Sequence, residues 1–260
     1  MKVAMMQPAF LPWQGFFELI YKSDRFLILD DFQFSVQSYH QRNRFFVNKG
    51  QVDWYTVPVQ KCESFGMALK DVRINDYAPW RVKMWKRVQQ NYSKASFYSL
   101  IAPRIQEWLF KKVDSLAAQN IAFIKLACDI LHLKREILLS SQFPSAAKRS
   151  ERVAELLRMN SADSYYCAKG SFDYMLADGL FPLSNVIVYF QDFTPKTYPQ
   201  IGSPNDFIPY LSVLDALMNV GPERTVDLIA HGTTKWLTWD KMMIGKKELL
   251  QELMAGEKSL

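Results

Sequence analysis

The amino-acid sequence predicts an α/β fold with a Rossmann-like parallel sheet flanked by helices. Lys2–Met6 and residues 26–29 are short and almost continuously apolar, which is typical of strands that are covered on both faces in a parallel sheet. Between them, apolar residues recur at helical spacing over Gln14–Lys22. Strand, helix and strand therefore follow one another within about thirty residues, as in a βαβ unit.

The same alternation continues along the chain and extends the predicted sheet. Further strands are predicted at 54–59, 137–139, 164–167 and 185–191. Helices are predicted at 79–92, over most of 103–133, and at 147–159, 171–176, 212–219 and 246–256. We therefore expect a single α/β domain over residues 1–260, with a mostly helical insertion at about 78–135 that forms a subdomain in the middle of the chain.

Composition and charge limit the classes of ligand. The chain has 260 residues, of which 49% are hydrophobic and 22% charged, as in ordinary globular proteins. Its net charge of +6 comes from basic residues that are spread along the sequence. This pattern permits tRNA as a partner but does not indicate it, and it fits an anionic small molecule such as a nucleotide sugar equally well.

Cysteine usage and hydropathy indicate the compartment. Cys62, Cys128 and Cys167 are isolated and have no CxxC spacing, so neither a metal site nor a disulfide framework is predicted. No run of about 18 apolar residues exists that could span a membrane. We expect a cytoplasmic protein without a bound metal.

The segment MQPAFLPWQGFF leaves the first strand at the edge where ligands bind in open parallel sheets. Gln7 and Gln14 offer uncharged donors and acceptors, and Pro8 stiffens the loop. Gly15 permits close approach of a ligand at the start of a helix, where free N–H groups are available. The alternative is a proline-rich connection that packs as core.

The cluster around residues 40–44 carries the densest set of candidate ligand-binding groups. Arg42 and Arg44 alternate on an extended chain and so point to one face, where two guanidinium groups suit a phosphate or carboxylate. Asn43 lies between them, and His40 is a candidate general base near neutral pH. The alternatives are a solvated basic strand and a structural histidine.

Asp30 ends the second predicted strand and is a candidate catalytic residue. At the ligand-binding edge of a parallel sheet its carboxylate could bind a ribose hydroxyl or accept a proton from an amine. Gln33 lies three residues further and is a candidate substrate-binding residue. The alternative for Asp30 is a helix cap or a turn residue.

Two candidate sets follow in the second half of the chain. Lys148 and Arg152 are four residues apart and share a helix face, which is either a binding face or an exposed charged one. Ser171 and Asp173 follow a glycine directly after a predicted strand, and Tyr174 comes next. This strand–turn–helix pattern suits a ligand contact or a plain helix cap.

Asp215 and Asn219 share one face of an otherwise apolar helix. Buried polar groups need partners, so the pair either lines a site or holds a neighbouring loop. The sequence contains no GxxxxGKS/T, GxGxxG, HExxH or GxSxG motif. Without a serine or thiol beside a credible base, covalent catalysis is not indicated.

Several of these segments together resemble the WbqC-like family of bacterial proteins, over residues 1 to about 223. The matching segments are QPAFLPWQGFF, SDRFLILDDFQF, SYHQRNRFF, DWYTVPV, KRSER, YCAKGSFDY and LSVLDALMNVGPE. The resemblance implies a role in bacterial surface polysaccharide, such as O-antigen or lipopolysaccharide, for which a glycine (aminoacyl) transferase activity has been proposed. The chain departs from the pattern at Val36 and Gln37, where a basic pair is usual, and at Gln41, where asparagine is usual.

A more distant resemblance is to the nucleotidyltransferase and class I synthetase superfamily. Its HxGH motif opens a helix after the first strand, where this chain has Trp13, Gln14, Gly15 and Phe16. Gly15 alone matches, and both histidines that would hold phosphate are absent. Either Gln14 and the basic cluster hold the phosphates, or ATP chemistry has been lost.

Two hypotheses about function follow. The first is a cytoplasmic transferase that acylates, and specifically aminoacylates, an amino group on a nucleotide sugar or glycan precursor, with Asp30 or His40 taking the proton. Amide formation needs an activated donor, which could be an acyl adenylate made from ATP, a charged tRNA or an acyl-CoA. The second is a non-catalytic module that binds a sugar nucleotide and assists glycan biosynthesis.

Overall fold

The protein is described here by a computed structural model of residues 1–48, 50–60, 66–203 and 205–256. Cys62 lies outside these described residues. Cys128 and Cys167 are buried free thiols, and burial raises the pKa of the Cys128 thiol to about 12. Among the helices within these ranges, none is long and apolar enough to cross a membrane.

A six-stranded sheet forms the centre of the fold, in the order β5-β2-β1-β6-β7-β8. Its strands are β1 (Lys2–Met6), β2 (Arg25–Ile28), β5 (Glu136–Leu139), β6 (Ser164–Ala168), β7 (Ile187–Gln191) and β8 (Leu237–Thr238). All neighbouring pairs are parallel except β7 and β8. The predicted α/β class with a Rossmann-like parallel sheet is confirmed. A separate antiparallel hairpin consists of β3 (Arg42–Asn48) and β4 (Gln51–Thr56).

The helices cover both faces of this sheet. They are α1 (Gln14–Lys22), α2 (Trp80–Tyr92), α3 (Tyr98–Phe110), α4 (Leu116–Ile130), α5 (Arg149–Met159), α6 (Ser171–Asp178), α7 (Val213–Ala230) and α8 (Trp239–Gly256). Val3 and Met5 of β1 share a core with Val153 of α5. Ala4 shares the other core with Phe17 of α1, because successive side chains of a strand point to opposite faces.

Helices α2 to α4 contribute to the same core as α1. Met84, Ile105 and Phe123 are fully or almost fully buried in one cluster with Phe26 of β2. Three successive helices between β4 and β5 give the chain a helical region in its middle. The boundaries predicted for it at about 78–135, and the division into one domain, stay predictions.

The strand order places the carboxyl ends of the parallel strands at one edge of the sheet. The chain passes from β1 to β2 and β5 on one side, then returns to β6 on the other side of β1. Such a reversal of strand order is where open α/β sheets bind ligands. The loop after β1, the segment after β2 and the connection from β5 to α5 all meet at this edge.

Several elements differ from the sequence prediction. Strand β8 was not predicted, α5 begins at Arg149 and not at 147, and α8 begins at Trp239 and not at 246. Strand β3 lies in a segment that reads as polar and was not predicted, and β4 begins at Gln51. The predicted helix at 212–219 breaks at Gly221, where φ is 78°, and a second helical stretch follows directly. Glycine adopts this left-handed conformation without a steric penalty, so the predicted stop is a kink inside α7.

Candidate functional site

A cleft of about 700 Å³ opens at the carboxyl edge of the sheet, between the segment after β2 and the start of α5. Asp31, Phe32 and Gln33 line one side, and Lys148, Arg149 and Arg152 line the other. Its size is within the range of small-molecule sites. The structure thus brings together three residues that the sequence predicted as substrate-binding, namely Gln33, Lys148 and Arg152.

Arg152 is the most firmly positioned group of the cleft. It is only 3% exposed, and its Nη2 donates to Asp31 Oδ2 at 3.1 Å and to the carbonyl oxygens of Ser140 at 2.9 Å and Phe143 at 2.6 Å. Its Nη1 is buried and has no hydrogen-bond acceptor among the described residues. Glu155 Oε2 lies 3.6 Å from Nη1, beyond hydrogen-bond distance. One half of the guanidinium is therefore fixed while the other lacks an acceptor.

Asp30 and Asp31 divide two tasks at the end of β2. The Asp30 carboxylate is 4% exposed and accepts from Ser140 Oγ at 3.2 Å, from Ser141 N at 3.0 Å and from Ser141 Oγ at 2.7 Å. These bonds hold the turn after β5. Asp31 also accepts from the Ser140 hydroxyl, but it lines the cleft. The catalytic role predicted for Asp30 stays a prediction. Its neighbour Asp31, which lines the cleft, was not among the residues predicted from the sequence.

The start of α5 has an unusual backbone. Lys148 is extended, and Arg149 has a φ of 52°, which is uncommon for a residue other than glycine. The N–H and the hydroxyl of Ser150 donate to Asp178 Oδ2 at 3.3 and 2.7 Å, and Arg149 Nη2 lies 2.7 Å from Asp178 Oδ1. These bonds, first those from Arg149, hold the pKa of Asp178 below its usual value. Lys148 is exposed and forms no ion pair within the described ranges.

Among the described residues, no group of three or more histidine, cysteine or acidic side chains could hold a metal ion. The described polar side chains that line the cleft are one carboxylate, one amide, one hydroxyl and three cations. Three cationic side chains in one cleft favour an anionic ligand. The carboxylate can accept a proton or a hydrogen bond from that ligand.

Comparison with known proteins agrees with the resemblance seen in the segments above. The model of the WbqC-like protein family matches residues 7–227. The chain belongs to the WbqC-like protein family. It is 30% identical over 223 residues to the uncharacterized protein Rv1507c of Mycobacterium tuberculosis (strain ATCC 25618 / H37Rv), which covers 85% of this chain and 95% of the relative. No solved structure matches the chain.

In this WbqC-like chain, the loop after β1 is largely packed as core. Phe10 and Leu11 are fully buried. Asn43 Nδ2 donates to the carbonyl oxygens of Phe10 at 3.2 Å and Leu11 at 2.6 Å. Asn120 Nδ2 donates to the carbonyl oxygens of Pro8 at 3.0 Å and His40 at 2.7 Å. The binding roles predicted for Pro8 and Asn43 stay predictions. The contacts seen are hydrogen bonds from Asn43 and Asn120 that hold the loop after β1 in place.

Gln14 and Gly15 open α1 beneath the indole of Trp13. A Cβ at Gly15 would lie 2.3 Å from the Trp13 ring, so glycine is required here by a neighbouring side chain of the same loop. The Gly15 carbonyl accepts from Gln191 Nε2 at 2.8 Å. Gln14 is buried, and its Oε1 accepts no hydrogen bond from the described residues. Neither residue lines the cleft, and their predicted binding roles stay predictions.

His40 is buried beside Gln7. Its Nδ1 accepts from Ser35 N at 3.2 Å, which places the ring proton on Nε2, 3.1 Å from Gln7 Oε1. Gln7 Nε2 in turn donates to the Gln33 carbonyl at 3.4 Å. Burial lowers the pKa of His40 to about 4, so the ring is neutral at pH 7. These bonds place the side chain of Gln7; the roles predicted for His40 and Gln7 stay predictions.

The buried His40 makes stability depend on pH. Between its ordinary pKa of 6.5 and the folded value of about 4, the unfolded chain binds a proton that the folded chain does not. Stability is thus lost as the pH falls below 6.5, and we expect His40 to account for about 2 kcal/mol between about pH 7.5 and 5. Urea unfolding at both pH values measures this loss. His40→Gln should show a smaller loss than the parent chain, and the exposed His231→Gln should match the parent; equal losses in all three would contradict the prediction.

Arg42 and Arg44 lie on the hairpin and do not line the cleft. The Arg42 guanidinium lies 4.2 Å from the centre of the Trp54 ring, a cation–π contact. Trp54 in turn meets Tyr39 edge to face at 5.4 Å. Arg44 Nη2 donates to the Pro209 carbonyl at 3.3 Å. The predicted anion-binding role of this pair stays a prediction, and the structure does not bring it together with Lys148 and Arg152.

The remaining predicted residues also lie outside the cleft. Asp173 forms an exposed ion pair with Lys246 at 2.8 Å. Tyr174 is half-buried beside Ser171, and burial raises its pKa to about 12. Their ligand-binding roles stay predictions.

Asp215 and Asn219 hold the chain that precedes α7. Asp215 is fully buried and accepts from Tyr92 OH at 3.0 Å, from Tyr198 OH at 2.8 Å and from Gln200 Nε2 at 2.8 Å. Asn219 Oδ1 accepts from Ile201 N at 2.9 Å. Burial raises the pKa of Asp215 and these hydrogen bonds oppose it. Of the two alternatives for this pair, the contacts are those of a loop support.

Proposed function

We propose that this protein transfers an acyl group, specifically an aminoacyl (glycyl) group, to an amino sugar or nucleotide-sugar precursor of a bacterial surface polysaccharide. Membership of the WbqC-like family suggests involvement in surface-glycan biosynthesis and supports this class of acceptor. One observation carries the proposal. The cleft at the carboxyl edge of the sheet combines the Asp31 carboxylate with Lys148, Arg149 and Arg152.

The proposed reaction uses the two sides of the cleft differently. The acceptor amine attacks the acyl carbonyl carbon, a C–N bond forms, and the bond from the acyl carbon to its leaving group breaks. Asp31 takes the proton that the amine loses. The cationic wall stabilises negative charge on the leaving group or on the acceptor. The donor must be activated, as an acyl adenylate made from ATP, a charged tRNA or an acyl-CoA.

The test is an assay of the purified protein with glycine, ATP and a nucleotide amino sugar, followed by mass spectrometry for one added glycyl group. Charged tRNA and acyl-CoA replace ATP in parallel reactions. We expect Asp31→Asn to lower the rate by about 10²- to 10⁴-fold. The exposed Asp206→Asn serves as the matched control and should retain the parent rate. Absence of product with every donor would contradict the transferase proposal.

The second candidate is a non-catalytic module that binds a sugar nucleotide. It is favoured by the side chains of the cleft, since no histidine is found among its described lining residues. The buried His40 has both ring nitrogens engaged. Calorimetry combined with the product assay separates the candidates, because both give heat with the sugar nucleotide but the non-catalytic module forms neither product nor pyrophosphate.

A further inference from the structure

The uncompensated donors of the cleft lie at the start of α5. We propose that a phosphate group of the ligand binds between the Lys148 ammonium and Nη1 of Arg152, so that the acceptor is a nucleotide sugar held by its diphosphate. This inference deepens the proposed function by naming the class of acceptor. It rests on that function for the transfer step alone, since phosphate binding can be measured without it.

Arg152 supplies the first argument. Its side chain is 4% exposed, and a charge so far from water needs acceptors for its donors. Nη2 has three oxygen acceptors, whereas Nη1 has none within hydrogen-bond distance in the described chain. Glu155, at 3.6 Å, offsets part of the charge without forming a hydrogen bond. Nη1 itself is buried, so a phosphate oxygen reaches it only when neighbouring atoms of the cleft wall shift. The phosphate would then supply the missing acceptor, and guanidinium–phosphate bonds are strong because both partners are charged.

Lys148 supplies the second argument. Of the three cations that line the cleft, Arg149 is paired with Asp178 and Arg152 with Asp31. Lys148 is exposed and keeps a full charge that no described carboxylate neutralises within ion-pair distance. An ammonium is a compact charge that suits a phosphate oxygen. The site therefore pairs an exposed ammonium with a buried guanidinium.

The helix terminus contributes little direct hydrogen bonding here. Asp178 already accepts from the N–H of Ser150, so the first turn of α5 is capped by a carboxylate from α6. Side chains, rather than the backbone of the helix, must hold the anion. Across the cleft, Asp31 and Gln33 line the wall that would face the sugar. A volume of about 700 Å³ can contain both a diphosphate and a sugar.

The test is isothermal titration calorimetry of the full chain with uridine diphosphate, inorganic pyrophosphate and uridine. We expect both diphosphates to bind, and uridine to bind at least about tenfold more weakly than uridine diphosphate. Lys148→Ala should lower the affinity for uridine diphosphate by about tenfold. Arg152→Lys, which keeps the charge but loses the guanidinium fork, should weaken it to a similar extent.

Two matched variants control for charge and burial. Lys112→Ala removes another exposed lysine, and Arg81→Lys alters an arginine that is 8% exposed and bonded to Asp76 and Gln119 in the helical region. Both should retain the parent affinity. If Arg152→Lys fails to fold, Lys148→Ala alone decides the result. Equal affinity for uridine and uridine diphosphate, or unchanged affinity in Lys148→Ala, would overturn the site.

The two proposals fail in distinguishable ways. Lys148-dependent binding of uridine diphosphate without any acyl transfer would refute the transferase and leave the phosphate site standing. Transfer to an unphosphorylated amino sugar at the same rate as to its nucleotide, with the Lys148→Ala rate unchanged, would refute the phosphate site alone. A parallel titration with ATP tests the source of the phosphate. Lys148-dependent binding of ATP without binding of uridine diphosphate would overturn the assignment to the acceptor.

Discussion

Asp215→Ala is expected to lower the free energy of unfolding by about 3–5 kcal/mol. The substitution leaves the hydroxyls of Tyr92 and Tyr198 and the amide of Gln200 without their common acceptor in a site that water does not reach. Tyr92 is on α2, Tyr198 precedes α7, and Asp215 is in its first turn. The loss should therefore loosen the contact between α2 and α7 as well as the loop that contains Tyr198.

Urea unfolding followed by circular dichroism measures this loss. Asp206→Ala removes an exposed aspartate from the same part of the chain and should change stability by less than about 0.5 kcal/mol. Tyr198→Phe removes one of the three donors and should cost about 1 kcal/mol. A change below about 1 kcal/mol in Asp215→Ala would show that the buried carboxylate is not the centre of this network.

Asn43→Ala should have the second largest effect, about 2–4 kcal/mol. The Asn43 amide nitrogen donates to the Phe10 and Leu11 carbonyls, and Asn43 Oδ1 accepts from Arg44 N at 2.8 Å. Without it, two buried carbonyls of the loop after β1 lose a donor. Leu11 also has a φ of 48°, a strained conformation for leucine that the surrounding contacts must hold.

The same unfolding experiment tests this second prediction. Asn185→Ala, at an exposed turn before β7, is the matched control and should lie within about 0.5 kcal/mol of the parent. Hydrogen exchange adds a local readout, because the Phe10 N–H donates to the Tyr39 carbonyl at 2.8 Å and should exchange faster in Asn43→Ala. Parent-like exchange at Phe10 together with parent-like stability would show that Asn43 does not stabilise the loop after β1.

Most strands of the sheet and the helices that pack on it follow from local patterns, so the sequence predicts them. The spacing of apolar residues identified α1 and β1 at the bounds the structure has, since periodicity needs no information from distant parts of the chain. Strand β3 was missed for the opposite reason. Its inward-facing Asn43 is polar because it bonds to the loop after β1, so the strand lacks the apolar alternation that would reveal it.

The candidate site was predictable only in part. Lys148 and Arg152 stand out in the sequence by their spacing of four residues, although Lys148 precedes α5 in the structure. Gln33 stands out by its position after a strand. The partner that fixes Arg152 is Asp31, 121 residues away in sequence, and no local pattern connects them. The low pKa of His40 likewise comes from its burial, which depends on the whole fold. Sequence patterns indicated the edge of the sheet that carries the cleft, and tertiary contacts decide which side chains face it.

The positive φ angle of Arg149 has a consequence for evolution and engineering of the chain. A side chain in this conformation costs of the order of 1–2 kcal/mol relative to glycine, and the link from Arg149 to Asp178 offsets some of that cost. A glycine would relax the backbone but would remove one of the links between α5 and α6, leaving those from Ser150, and would remove a cation from the mouth of the cleft. Thermal robustness and ligand affinity are thus opposed at this one position, and selection for heat tolerance alone would be expected to erode the binding surface there first.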